Sequence, residues 1–95
     1  MKNVLLALVL IIFGSPAYAG TCLSNNTSPI EKITKVSSFK VSDINLRAGA
    51  GVRYCTVRVL NNAKNKPVTI KGKSGSWRQI IFDDKDYWIH GSLLN

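Results

Sequence analysis

Few residues of this chain could do chemistry, and they fall into two groups. Arg47, Gly49, Gly51, Arg53 and Tyr54 lie in the stretch INLRAGAGVRY, residues 44–54. Trp77, Asp83, Asp84, Asp86, Tyr87, Trp88 and His90 lie toward the C-terminus. Nucleophilic catalysis needs an activated nucleophile, a base within hydrogen-bond reach and a group that orients the base. His90 is the only histidine, and the nearby acids sit in a polar turn. No catalytic residues are expected. One histidine, two cysteines and three clustered aspartates give no metal-ligand spacing. Asp83-Asp84-Lys85-Asp86 lacks the glycine and the terminal glutamate of a calcium loop. Neither metal nor cofactor is expected, and His90 reads as a hydrogen-bonded packing residue.

The glycine–arginine stretch has three readings. A phosphate cradle needs a helix N-terminus behind its glycines, and no helix pattern follows here. The glycines instead read as φ > 0 positions that turn a strand into a long loop. Arg47 and Arg53 then either face a ligand or hold the loop in shape. With Tyr54, Trp77 and Tyr87 they could wall a groove for a short peptide or glycopeptide whose carboxylates meet the guanidinium groups. The alternative is that these aromatics cover a small core.

Certain elements must position these residues. Residues 1–19 read as a secretory signal peptide: Lys2 in a short n-region, an apolar run over 4–13, and Ala17-Tyr18-Ala19 as a cleavage site. The run is shorter than the ~20 residues a membrane span needs. Removing Lys2 leaves twelve cations against five acids, a net charge of +7. Outside the cytoplasm that charge favours envelope polymers, lipid headgroups or acidic proteins over nucleic acid; it also serves solubility. Cys22 and Cys55 are the only cysteines, and an exported chain meets an oxidising compartment, so a disulfide between them is expected. It would add roughly 3–4 kcal/mol to a core of marginal size.

Residues 20–35 read as an N-terminal arm. Ser28-Pro29-Ile30-Glu31 is compatible with one capped helical turn, and an extended arm fits equally. Period-two patterning begins at Val36, with Phe39, Val41, Ile44 and Leu46 alternating. Strands are expected near 56–60, 67–71, 77–82 and 87–89, separated by polar or glycine turns. Alternation turns Phe39 and one of Ile81 or Phe82 inward, and leaves Trp77 and Trp88 unassigned. A chain of five to six short strands is all-β, a small barrel or sandwich. His90-Gly91-Ser92-Leu93-Leu94 fits one 3₁₀ turn that caps the barrel.

INLRAGAGVRY, then PVTI, SGSWRQI and YWIHGSLL, in this order, resemble the bacterial SH3-like domain in its short exported form. The resemblance covers about residues 36–94, and the domain is placed at 36–95. It implies a partly open SH3-like barrel in which residues 47–56 form the long loop. It also implies a non-catalytic binding role toward peptidoglycan peptides or other envelope components. The alternative is a subunit that docks an envelope protein, or a modulator of an envelope enzyme, and the signal peptide points to a periplasmic or secreted location. Three positions depart from the family pattern. Ala50 stands where a proline is usual, Cys55 follows the loop tyrosine where proline is frequent, and Tyr87 replaces the glycine before the final tryptophan.

Overall fold

The computed structural model describes residues 21–95; the expected signal peptide lies outside them. Six antiparallel strands form one sheet: β1 Glu31–Ser38, β2 Ile44–Arg47, β3 Thr56–Leu60, β4 Pro67–Ser74, β5 Trp77–Phe82 and β6 Lys85–His90. Their order across the sheet is β1-β4-β5-β6-β2-β3. A single 3₁₀ turn, Gly91–Leu93, follows β6. The described residues are all-β, as their patterning predicts. No helix among the described residues is long and apolar enough to cross a membrane.

Turn chemistry fixes the β4-β5-β6 meander. Asp83 and Asp84 have φ of 52° and 64°. Two left-handed residues in a two-residue hairpin loop match the twist of the flanking strands, and Asp tolerates this conformation better than bulkier residues. In the β4–β5 loop the left-handed position, φ 59°, is occupied by Gly75.

Phe39, Ile44, Leu46, Ile70, Ile80 and Ile89 are the centre of the core. Phe39 is fully buried and pairs with Leu94 in an isolated bridge. Its N–H donates to the Lys66 carbonyl at 3.1 Å and its carbonyl accepts from Asn65 N–H at 2.8 Å. The β3–β4 connection and the C-terminal segment therefore close over one aromatic ring. Phe82 meets that ring edge-on at 5.6 Å, whereas Ile81 points outward and is 38% exposed.

The arm differs from expectation in one respect. Ser28-Pro29-Ile30-Glu31 forms no helical turn; the extended alternative is found, and β1 begins at Glu31, five residues before Val36. Glu31 and Lys32 pair with Lys73 and Gly72 of β4. A helical turn this short has a costly nucleus and few bonds to offset it, so the ladder to β4 prevails.

Candidate functional site: a loop held by a strap

Residues 48–55 connect β2 to β3 and form the long loop. Arg47, the last residue of β2, folds its guanidinium back under the loop. Nη1 donates to the Val52 carbonyl at 3.1 Å and to the Tyr54 carbonyl at 2.9 Å. Arg47 thus holds the loop backbone in shape, the second of its two sequence readings. Gly49 is needed for space, not for a left-handed angle: a Cβ there would stand 2.5 Å from the Tyr54 ring. The expectation of φ > 0 at this position is corrected accordingly.

The arm crosses the loop as a strap. Cys22 is bonded to Cys55. Leu23 N–H donates to the Arg53 carbonyl at 3.0 Å, and its carbonyl accepts from Cys55 N–H at 2.8 Å. Asn26 Oδ1 accepts from Ala50 N–H at 3.0 Å. The Tyr54 hydroxyl, at the end of a fully buried side chain, accepts from Thr27 N–H at 3.1 Å and bonds the hydroxyls of Thr27 and Ser28. These bonds, that of Ser28 foremost and then those of Thr27, lower the Tyr54 pKa to about 7 against the opposing effect of burial.

The strap continues over the outer face of the sheet. In β6, Tyr87, Trp88 and Ile89 are all buried. Adjacent strand residues point to opposite faces, so both faces of β6 are covered. Tyr87 and Ile89 belong to the core cluster. Trp88 stands between Arg47 of β2 and Gln79 of β5 on the outer face, and Gly72 of β4 extends that row. Ile30 lies over Gly72, where a Cβ would be 2.8 Å from its methyl group.

The five residues expected to wall one groove are therefore divided. Arg47, Arg53 and Tyr54 meet at the loop, where the exposed Arg53 guanidinium sits 5.4 Å from the Tyr54 ring centroid. Trp77 is on the same face two strands away, edge-on to His90 at 5.5 Å. Tyr87 faces the core. Tyr54 and Tyr87 are buried, so neither offers a ring to a groove.

His90 accepts from Ser92 N–H at 3.2 Å and bonds the Ser92 hydroxyl at 2.8 Å, both through Nδ1. It caps the 3₁₀ turn, in keeping with a packing role. Among the described residues no three His, Cys, Asp or Glu side chains gather as a metal site would require.

Two features were not found by sequence reasoning. Trp88 is the central residue of the outer face, and only the parity fixed by Tyr87 and Ile89 would have revealed this. The second is an open cleft of about 580 Å³ at the far end of the strap, lined by Pro29, Ile30, Glu31, Lys73, Ser74 and Gly75. No signal in any one segment marks it, because two distant segments form it.

No family model, no curated protein and no solved structure matches this chain.

Proposed function

We propose that this chain is an exported, non-catalytic binding domain of SH3-like type. Its loop face engages an anionic, peptide-containing component of the cell envelope such as peptidoglycan. The observation that carries this reading is Arg53. It is an exposed cation with no carboxylate partner among the described residues, set on a loop that a disulfide, Arg47 and the strap hold rigid. A rigid loop loses little freedom when a ligand docks, which favours affinity. The disulfide accords with an oxidising, extracytoplasmic environment. Arg53 takes the ligand carboxylate. Arg47 and Tyr54 act behind it by fixing the loop, and Trp77 borders the same face.

Docking of an envelope protein is the second reading, and Val52 favours it. This side chain is 77% exposed beside Arg53, and an apolar group at a loop tip suits a protein surface better than a polymer. A pulldown with purified cell wall separates the two. The first reading expects retention at low salt that fades as salt rises and falls several-fold in Arg53→Ala. No retention at low salt sinks it. A protein partner kept at high salt, without cell-wall binding, establishes the second.

A further inference from the structure

The cleft at the far end of the strap has its own chemistry. One wall is apolar, made by Pro29 and by Ile30, which is 49% exposed. Glu31 and Lys73, facing residues of β1 and β4, bring a carboxylate oxygen and an ammonium nitrogen to 4.0 Å. Both side chains stay largely open to solvent, at 67% and 39%, so their mutual attraction is weak and either can turn to a ligand. Gly75 leaves the mouth open, since a Cβ built on it meets nothing within 4 Å. Both flanks are fixed. The strap is bonded at Cys22, and Arg78 Nη1 donates to the Gly75 carbonyl at 2.9 Å.

We infer that this cleft is a second binding site, for a small zwitterion with an apolar substituent: a free amino acid of the leucine type. Its ammonium goes to Glu31, its carboxylate to Lys73, and its side chain lies against Ile30 and Pro29. The volume is within the ~300–1,000 Å³ range usual for small-molecule sites. Arg58–Asp83 and Lys71–Asp86 are also paired, but at 2.8 and 2.9 Å; the looser Glu31–Lys73 pair is the one that lines a cleft beside apolar side chains. A polyanion is repelled by Glu31, and a simple cation by Lys73. The site is independent of the Arg53 loop, so cell-wall binding and amino-acid binding can fail separately.

Three probes test it by NMR on the disulfide-bonded protein: leucine, N-acetyl-leucine and leucinamide. Leucine should give saturable shifts at Ile30, Glu31, Lys73 and Gly75. A ligand this small should bind at roughly 1–10 mM. The acetylated probe lacks the ammonium and the amide lacks the carboxylate, so each should bind at least about tenfold more weakly. Glu31→Lys and Lys73→Glu should each abolish the leucine shifts. The double swap should restore them, because a zwitterion can reverse its direction, and restoration separates loss of recognition from loss of fold. Equal binding of the three probes would overturn the proposal, as would no saturable shift at these residues up to about 50 mM leucine, five times the weakest binding expected.

Discussion

The two faces of β6 are covered by different means. On the inner face Tyr87 and Ile89 meet Ile80, Leu46 and the rest of one apolar cluster. On the outer face, where Trp88 is buried, runs a chain segment that reaches Gly72 through Ile30 and is held by a disulfide, a pair of backbone bonds and the hydroxyl of one tyrosine. Burial of apolar area has no direction and tolerates small displacements. A strap built from directed bonds holds one register or none. The inner face should thus set whether the sheet forms, and the outer face the shape of the loop that carries Arg53.

The largest effect expected is on the inner face. Ile89→Ala removes a fully buried side chain and should cost about 2–5 kcal/mol in denaturant unfolding. A loss below about 1 kcal/mol would show that the core collapses around the gap and would blur the contrast between faces.

Removing the strap's covalent bond comes next. Cys22→Ser with Cys55→Ser opens a loop with a sequence separation of 33 and should cost about 3–4 kcal/mol. The far-ultraviolet signature of the sheet should persist at low temperature. Loss of the sheet signal in the folded baseline would mean that the outer cover is needed for the fold itself.

Tyr54→Phe is smaller, about 0.5–1.5 kcal/mol, because the part-buried hydrogen bond from Thr27 N–H to the hydroxyl is lost. It also carries a pH signature. The phenol titrates at about 7 in the folded chain and at its ordinary value of 10 when unfolded. Between those values the unfolded chain holds the extra proton, so stability rises with pH. That increment is complete above 10 and is lost as pH falls through 7. Phenolate absorbance should show one tyrosine ionising near 7. Tyr54→Phe should abolish that step, and the double serine variant should return it toward 10. A folded protein with no tyrosine ionising below 9 would refute this account of the strap.

Arg58→Ala should have the smallest effect. Arg58 bonds Asp83 at 2.8 Å and lies over the Phe82 ring at 5.1 Å. Both partners of the ion pair are exposed enough that less than about 1 kcal/mol is expected, and less in high salt. A larger loss would show that β3 is fastened to the β5–β6 turn more firmly than surface charge allows.

Much of the inner face was legible in the sequence. Alternation at Ile44 and Leu46, the polar loop residues Asp83 and Asp84, and Gly75 each state a local requirement that the chain satisfies locally. The disulfide was legible from compartment and count. The outer face was not. Tyr87-Trp88-Ile89 is a run of three apolar residues, and parity cannot be read from a run. Nothing near Tyr54 announces that Thr27 and Ser28 will surround its hydroxyl. Glu31, Lys32 and Lys35 make the start of β1 look like a solvated arm, because the strand that pairs with it is some forty residues away. Arg47 was legible as a choice between two roles, and the loop carbonyls decided it.

The bond between Cys22 and Cys55 also has a topological meaning. It joins the arm before β1 to the residue before β3, so residues 22–55 form a closed covalent ring. In the sheet, β1 stands at one margin and β2 near the other, with β4, β5 and β6 between them. The ring passes along the outer face as the strap and returns along the opposite side through Phe39. It is a hoop around the central meander. A protease that cuts once at Lys35, Lys40 or Arg47 opens the hoop but releases nothing. The two pieces travel as one body until a reductant separates them.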